Sequence, residues 1–498
     1  MECDYLIVGA GSAGCVVDKR LADVIHRVVL FETGGSDTYH WVHIPIEYLY
    51  CTGNPHTDWC FRKSPKVALN GRSLRYLRDK LLGRCSSIND ILYLRRQPVD
   101  YDGWRQTGLF GRGWADVLPY FMDSEDYIDG PSDMHGAGGE WWVENHWLHW
   151  DVLDDSKQVA MQRGLLACDD FITGVSAGVG CFRANERNGL CLNTAKAFLC
   201  GAQKNKLRIE THAHSKRILF NGRRVLGVEF EQHDVVETVH AKAEEIVCAG
   251  AIGSPHLLQL SGIEQVDVLT RNAIPVRAYR PVSRTNLQDY LQLRCSYHLQ
   301  GATTLNILAN SFWGKAKVAL EYAPKRLGPM AMAPIQIRAF AKSQAGLASA
   351  ELEYNVQPLS LDAFGEPPDD FPWITASECN LRPESCGSVE LTLPDLKAIP
   401  HIALTYSATL GECQVVADAI RLTRHIIAAP ALRRYVPVEI APRDRRAANQ
   451  RLNGSGWQHW HDYFHPSGTV AMGAETDAPL DEQFRLHSFE GCARLTPA

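Results

Sequence analysis

Three glycines near the start of the chain have the spacing of a dinucleotide-binding loop. They are Gly9, Gly11 and Gly14, in the pattern Gly-x-Gly-x-x-Gly. In such a loop the first glycine makes a tight turn, the second lets a diphosphate approach the backbone, and the third lets a helix pack closely on a strand. Glu32 follows 18 residues after Gly14, where a carboxylate accepts hydrogen bonds from ribose hydroxyls. The spacing does not say which dinucleotide is bound, and a glycine-rich turn that binds nothing is the alternative.

The segments around these glycines have the pattern that such a loop needs. Leu6–Val8 is a short apolar run typical of a strand buried on both faces, and a helical pattern through Cys15, Val16 and Leu21 follows it. Residues 27–31 read as a second strand. This strand–helix–strand unit predicts a parallel sheet, with the diphosphate at the helix N-terminus, where free N–H groups favour an anion.

The rest of the chain predicts further strands and a second sheet. Residues 217–230 predict a hairpin with a type I′ turn at Asn221-Gly222, and residues 245–249 predict a buried strand that ends at Gly250. Residues 32–66 have little periodicity and predict a long connection. From about Leu291 to Pro442, alternating segments predict a second, sheet-based region, and apolar spacing over 415–427 predicts a helix that covers it.

Composition argues against several classes of partner. The formal net charge is −6 with both signs interspersed, so neither a nucleic acid nor an anionic membrane surface is expected as a partner. No signal peptide is evident, and no apolar run reaches the roughly 18 residues of a membrane span, so membrane association is not indicated. The fifteen cysteines include no CxxC pair. A reducing, cytoplasmic location is therefore the expectation.

Four further motifs resemble those of one enzyme family. The first comprises residues 70–74 (NGRSL) and 80–89 (KLLGRCSSIN), and the second is residues 249–263. The third is residues 286–289 (NLQD), and the fourth is residues 465–473 (HPSGTVAMG). In this order they resemble the glucose-methanol-choline (GMC) oxidoreductase family, and within it the bacterial choline and alcohol dehydrogenase-like members.

The resemblance implies a fold and a cofactor. The fold class is α/β, with a Rossmann-like FAD-binding domain at 1–290, rejoined by about 455–498, and a second, sheet-based α+β substrate domain at 291–454. In some relatives a histidine binds the flavin covalently at the position of Ile88, so FAD is expected to bind here without a covalent link. The residues expected to bind FAD are Gly9, Gly11, Ser12, Ala13, Gly14, Glu32, Gly83, Ser87, Asn89 and Gly250.

The resemblance also implies an activity and a general base. Family members oxidise the CH–OH group of a small alcohol by passing a hydride to the flavin N5, and oxygen or a quinone-like acceptor then takes the electrons. The histidine of the fourth motif, His465, is implied as the base, because an imidazole with a pKa near 6.5 is mostly neutral at pH 7. His459 and His461 lie near it, but no carboxylate or cysteine spacing completes a metal-ligand set, so no metal is expected.

The sequence departs from the family pattern at several glycine positions. Side chains there cost free energy where the backbone needs a positive φ, and they fill space where the backbone meets a cofactor. The alternative is that the loops have adjusted and these side chains point to solvent. The charged replacements are Asp79, Arg84, Asp90, Arg96, Glu264 and Arg284.

A last departure concerns the C-terminus. After residues 489–491 the family continues into a segment that contacts the flavin and supplies a second active-site histidine or asparagine, whereas this sequence reads CARLTPA. The catalytic C-terminal segment is therefore expected to be missing, as a frameshift would cause. A second hypothesis follows, in which the chain is a decayed or repurposed, non-catalytic relative that keeps the fold.

Overall fold

Two seven-stranded sheets organise the chain. The computed structural model describes residues 2–24, 26–65, 71–145, 148–174, 177–201, 206–281, 286–333, 335–344, 346–360, 369–442, 460–475 and 478–494. The described residues form helices α1 (Ser12–Asp23), α2 (Tyr48–Cys51), α3 (Pro98–Gln106), α4 (Trp114–Ser124), α5 (Asp151–Gln162), α6 (Gly250–Leu260), α7 (Val266–Arg271), α8 (Leu305–Asn310), α9 (Phe312–Lys325) and α10 (Leu410–Ile427).

The strands are short in the connecting regions and longer in the two large sheets. In the first half of the chain they are β1 (Glu2–Val8), β2 (Val28–Phe31), β3 (Phe61–Arg62), β4 (Arg75–Tyr76), β5 (Leu92–Tyr93), β6 (Glu125–Tyr127), β7 (Trp141–Asn145), β8 (Gly178–Cys181), β9 (Arg183–Ala184), β10 (Glu186–Arg187), β11 (Leu190–Cys191), β12 (Leu207–Glu210), β13 (His214–Asn221), β14 (Arg224–Gln232) and β15 (Val235–Val247). In the second half they are β16 (Leu291–His298), β17 (Ile337–Ala341), β18 (Leu352–Gln357), β19 (Trp373–Asn380), β20 (Ser388–Glu390), β21 (His401–Ala403), β22 (Val438–Ala441), β23 (Trp460–Asp462) and β24 (Cys492–Arg494).

The first sheet contains the predicted strand–helix–strand unit. Its order is β12-β2-β1-β15-β14-β13, with β24 beside β15. The pair β1–β2 is parallel, as the sequence predicts, and so are the pairs β1–β15 and β2–β12, whereas β13, β14 and β15 form an antiparallel meander. Val8 pairs with both Phe31 and Val247, so the carboxyl ends of three parallel strands meet at one edge. The loops that follow these strands therefore share one crevice.

The second sheet is antiparallel throughout and has the order β22-β16-β19-β18-β17-β8, with β23 beside β16. Helix α10 confirms the helix predicted over 415–427, and its Thr409 hydroxyl accepts from the N–H of Glu412 at its start. Buried side chains of α5, α10 and β16 pack together in the largest hydrophobic core. Strands β8 and β23 come from outside residues 291–454, so the domain boundaries stay a prediction.

The hairpin of β13 and β14 forms, but not with the expected turn. Asn221 pairs with Arg224, so the turn residues are Gly222 and Arg223. A type I′ turn needs a positive φ at both central residues, and only Gly222, at +59°, has one. The type I′ prediction is therefore wrong, because the glycine takes the first turn position rather than the second.

None of the helices within the described ranges is both long and apolar enough to cross a membrane.

A buried charged cluster lies at the junction of β6 with the loop that follows it. His135 contacts Glu125 at 3.2 Å through Nδ1 and Asp170 at 2.7 Å through Nε2, and its ring stacks on Tyr127. Arg95 is 3.0 Å from the same Glu125 carboxylate. Burial lowers the pKa of His135, but the hydrogen bonds to Asp170 and Glu125 outweigh it and raise that pKa to about 9. His135 is therefore a cation in the folded protein at neutral pH.

We expect this cluster to make stability depend on pH. A pKa raised from 6.5 to about 9 contributes stability that is complete below pH 6.5 and is lost as the pH rises through 9. The wild type should exceed His135→Gln by about 3 kcal/mol in unfolding free energy at pH 6, and the gap should shrink by pH 9.5. Urea unfolding at both pH values measures it, with exposed His56→Gln as the control. A gap that does not change with pH would contradict the charged state of His135.

Candidate active site

A cavity open to solvent lies at the carboxyl edge of the first sheet, with about 1170 Å³ of empty space when its open side is included. Most of the predicted dinucleotide-binding loop of residues 9–14, called the fingerprint below, lines this cavity. Residues of the second motif and of the loop before β21 also line it. The lining includes Gly9, Gly11, Ser12, Ala13, Arg84 and Gly250. The sequence motifs at residues 9–14, 80–89 and 249–263 therefore converge on one site.

The fingerprint glycines have the geometry that their spacing predicts. Gly9 has φ +106°, and a Cβ there would lie 2.5 Å from the carbonyl oxygen of Cys248. A Cβ on Gly14 would lie 1.9 Å from the carbonyl oxygen of Gly9, so helix and strand touch at this point. Gly11 is the N-cap of α1, and no side chain among the described residues caps it. The first N–H groups of α1 are thus available to an anion.

Glu32 stands at the carboxyl end of β2, as expected of a ribose-binding acid. It is fully buried and accepts from the N–H of Ala10 at 3.1 Å and the N–H of Gly34 at 2.9 Å. It also accepts from Nε of Arg84 at 2.8 Å. The sequence predicts that this carboxylate binds ribose hydroxyls, but it does not predict the ion pair with Arg84.

The predicted flavin-contacting segment is attached directly to the fingerprint loop. The N–H of Gly83 donates to the carbonyl of Ala10 at 2.8 Å, and Gly83 has φ +83°. Ser87 is buried, donates to the carbonyl of Leu82 at 2.9 Å and accepts from Asn193 at 3.0 Å. Asn89 is exposed, and its Oδ1 accepts from the N–H of Ile91. Gly83 and Ser87 thus pack beside the loop of residues 9–14, which we call the dinucleotide cradle, whereas Asn89 makes a local turn.

Four buried polar side-chain atoms in the cavity wall have no hydrogen-bond partner among the described residues. They are Nε of Arg78, Oδ2 of Asp79, Oγ of Ser215 and Nε2 of His256. Burial lowers the pKa of His256 to about 4, so its ring is neutral. His214, against Trp59 with ring centroids 5.4 Å apart, also lines the cavity. The sequence analysis singled out Asp79 but missed His214 and His256 as contacts, although His256 lies within the second motif.

His465 lies on a loop after β23, close to this cavity but outside its lining. Its backbone N–H donates to Oδ1 of Asp289 at 2.8 Å. Its ring makes edge contacts with Tyr463 and Tyr290 at centroid distances of 4.6 and 6.2 Å. Arg78, which lines the cavity, donates to the carbonyl of Phe464 at 2.6 Å. The His465 loop is thereby tied to the cavity wall.

The electrostatic surroundings of His465 differ from the expectation of a pKa near 6.5. The residue is exposed, yet the protein atoms packed around its ring still desolvate it. Burial and the positive charges of Arg78, Arg338 and Arg96 lower its pKa. Its imidazole is therefore neutral at pH 7 and can accept a proton, as a weaker base than a free histidine.

A polar network on the second sheet faces the same loop. The Tyr463 hydroxyl contacts Arg338 at 3.1 Å, Asn355 at 2.5 Å and Glu353, and Arg338 is paired with Glu353. Strands β17 and β18 supply these groups. The sequence analysis did not single them out, because strand alternation alone does not show which face meets another motif.

The charged residues at family glycine positions differ in backbone conformation and in burial. Arg84 has φ +43°, so the strain expected of a side chain at a glycine position applies there, whereas Asp79, Asp90, Arg96 and Glu264 have ordinary φ values. Asp79 and Glu264 are buried, so the alternative of pointing to solvent is wrong for them, and Arg96 is exposed. Arg284 lies outside the described residues, as do Asn70 and His459.

No cluster of three or more histidine, cysteine, aspartate or glutamate side chains in the part of the chain that the structure describes is arranged to hold a metal ion.

Fold and cradle together define a protein that binds a dinucleotide at the edge of a parallel sheet. Comparison with known families narrows this class. Two family models, both described as GMC oxidoreductase, match residues 3–291 and 383–492. The chain belongs to the GMC oxidoreductase family. Membership of this family confirms FAD as the cofactor. Its non-covalent attachment stays a prediction.

Individual relatives agree with this assignment. The chain is 33% identical over 495 residues to an oxygen-dependent choline dehydrogenase of Vibrio vulnificus, covering 97% of this chain and 87% of the relative. A choline dehydrogenase of the same description from Chromohalobacter salexigens is 33% identical, covering 98% and 89%. Pyridoxine 4-oxidase from Mesorbium loti superposes with a TM-score of 0.88 at 24% identity, covering 99% and 93% of the two chains. A formate oxidase superposes with 0.89 at 20% identity and the same coverage. These two structures establish the fold alone.

The expectation of a missing C-terminal segment is not borne out. The C-terminal family model is matched as far as residue 492. Residues 492–494 form β24, which pairs in parallel with residues 245–247 of β15. Strand pairing uses backbone groups, so side-chain comparison over this short segment did not reveal it.

The cradle fits FAD. Two of its glycines have no room for a side chain, the helix N-terminus is uncapped among the described residues, and unpartnered polar atoms line the wall. Gly9, Gly11, Ser12, Ala13, Gly14 and Gly250 would hold the cofactor through backbone groups, with Glu32 below them.

Proposed function

We propose that this chain is an FAD-dependent oxidoreductase that oxidises the CH–OH group of a small alcohol. The observation that carries the proposal is His465, a neutral imidazole held beside the cavity by Asp289 and two tyrosine rings. FAD, when bound, supplies the acceptor for the hydride at its N5 atom.

In this proposal His465 takes the proton of the substrate hydroxyl. Its lowered pKa keeps the imidazole neutral and therefore able to accept a proton, although as a weaker base than a free histidine. Asp289 fixes the backbone of His465, and the rings of Tyr463 and Tyr290 limit the orientations of the imidazole. Oxygen or a quinone-like acceptor would then take the electrons.

The names of the relatives suggest which substrates to test first. Choline is the first candidate, since the relatives at 33% identity are called choline dehydrogenases, and pyridoxine is the second. The purified protein should show the visible absorption of a flavin, and anaerobic mixing with its alcohol should bleach it. A colourless protein that also fails to take up added FAD would contradict the proposal.

A second candidate function is that of a non-catalytic relative that binds FAD weakly. The observation in its favour is the pair of charged replacements in the cavity wall, Asp79 and Arg84. Burial raises the pKa of Asp79 well above its usual range, and the ion pair of Arg84 occupies Glu32. Low flavin occupancy after purification, with no bleaching by any alcohol once FAD has been added, would favour this candidate.

Asp289 offers a test of how His465 is positioned. Its Oδ1 accepts from the N–H groups of Tyr290 and His465, both at 2.8 Å, and its Oδ2 accepts from the Tyr76 hydroxyl at 2.6 Å. Asp289→Ala leaves both N–H groups without this acceptor and lets the loop shift. Flavin reduction should slow by roughly 10- to 100-fold, measured by stopped flow.

Two further variants separate positioning from stability. Asp289→Asn keeps an oxygen for the two N–H groups and should restore most of the rate. Tyr76→Phe removes the third hydrogen bond but leaves the bond to His465, so it should lower stability more than the rate. Equal rates in Asp289→Ala and Tyr76→Phe would show that Asp289 does not position His465.

A further inference from the structure

The side chain of Arg84 crosses the dinucleotide cradle. Its Nε donates to Oε2 of Glu32 at 2.8 Å, and its Nη1 donates to the carbonyl of Ala249 at 2.9 Å. Its aliphatic stem covers the second fingerprint glycine, since a Cβ on Gly11 would lie 3.1 Å from Cδ of Arg84. The side chain thus bridges the ribose-binding acid and the second motif above the glycine that a diphosphate approaches.

The backbone of Arg84 cannot easily withdraw from this place. Gly83 donates to the carbonyl of Ala10 at 2.8 Å, and the N–H of Arg84 donates to the carbonyl of Leu81 at 3.0 Å. Both residues have left-handed φ values, +83° and +43°, so the segment has one tight shape. The long side chain is the part that can change position.

Arg84 and a ribose compete for one carboxylate. Oε2 of Glu32 already accepts from Ala10 and Arg84, and Oε1 accepts from Gly34. A carboxylate has about four acceptor positions, so a ribose diol meets an acid that is largely satisfied. The two hydroxyls can use Glu32 fully only if the guanidinium leaves it.

A guanidinium released at this place has a new partner close by. The N-terminus of α1 at Gly11, next to the stem of Arg84, would hold the diphosphate of a dinucleotide. Arginine forms forked, charge-assisted hydrogen bonds with phosphate oxygens that are stronger than neutral ones. The same side chain can therefore lose one anionic partner and gain another as the dinucleotide enters.

We propose that Arg84 is a diphosphate-binding residue that pairs with Glu32 until a dinucleotide arrives and then exchanges Glu32 for the diphosphate. Arg84 consequently favours ligands that carry a diphosphate and opposes ligands that carry only the ribose. This inference rests on FAD as the cofactor and does not depend on alcohol oxidation or on His465.

Ligands with and without a diphosphate test the exchange. Flavin-stripped wild type and Arg84→Met are titrated with FAD, ADP and adenosine, and binding is followed by flavin fluorescence and by ligand-induced shifts in melting temperature. Methionine keeps the stem and the Cβ at the left-handed position but removes the charge. FAD and ADP should bind roughly 10- to 100-fold more weakly to Arg84→Met, from the loss of charge-assisted hydrogen bonds. Adenosine should bind several-fold more tightly, because Glu32 is released.

The controls keep the outcome decisive. Arg84→Lys retains the charge without the fork and should bind FAD with intermediate affinity. Arg217→Met removes an exposed arginine paired with Glu229 and should change none of the three affinities. If Arg84→Met affects adenosine and FAD in the same direction, or tightens FAD, the exchange is refuted. If Arg84→Met does not fold, Arg84→Lys decides alone, and equal FAD affinity in Arg84→Lys and wild type refutes the forked contact.

Discussion

His465→Ala should slow the reduction of the flavin by alcohol by about 100- to 10,000-fold while leaving FAD bound. This is the range over which a positioned general base accelerates proton transfer. His465 is outside the lining of the cofactor cavity, so its loss should not release the cofactor. Anaerobic stopped-flow measurement of flavin bleaching gives the rate, and the visible spectrum of the same sample gives the flavin content.

The pH dependence of the wild type sharpens this prediction. Burial and neighbouring arginines lower the pKa of His465, so the imidazole stays deprotonated from pH 8 down to pH 5. Protonation of His465 should therefore cause no loss of rate within this range.

Exposed His401→Ala is the control for His465→Ala and should react like the wild type. Unchanged bleaching in His465→Ala would remove this histidine from the mechanism.

Gly14→Ala should abolish FAD binding and lower the stability of the first sheet. The new Cβ would lie 1.9 Å from the carbonyl oxygen of Gly9 and 3.5 Å from Cβ of Cys248. The obstacle at Gly9 is backbone, so α1 must move away from β1 and take the diphosphate-binding N–H groups with it. Overpacking of this kind costs about 1–3 kcal/mol, and FAD affinity should fall at least about 100-fold.

A glycine elsewhere provides the matched control. Gly103 lies in α3, where a Cβ would meet nothing within 4 Å. Gly103→Ala should bind FAD normally and gain up to about 1 kcal/mol from the better helix propensity of alanine. Normal flavin content and melting temperature in Gly14→Ala would show that α1 and β1 are not packed as the structure has them.

The sequence predicted the cradle better than the surroundings of the base. Gly9, Gly14 and Gly83 could be read because each needs a local property, a positive φ or close contact with nearby backbone, and spacing along the chain encodes it. The helix over 415–427 was readable for the same reason, since its apolar period is local. The hairpin turn shows the limit, because a shift of one residue changed its type.

The missed groups depend on contacts between distant segments. Glu32 and Arg84 are 52 residues apart, and Asp289 and His465 are 176 apart. No period or turn signal couples such positions. Arg84 is brought to Glu32 by the attachment of Gly83 to the loop of residues 9–14, and Asp289 is brought to His465 by the pairing of β16 with β23. The role of Arg84 was accordingly left open between a side chain that fills cofactor space and one that points to solvent.

By itself, the sequence determined the family, the cofactor and the loop that holds it, because glycine spacing and motif order are properties of the chain alone. Only the tertiary structure decided which acid holds the His465 loop, which arginine crosses the cradle, and that residues 492–494 join the first sheet. The physical reason is that hydrogen bonds and ion pairs need atoms within about 3 Å, and folding alone brings such distant residues together.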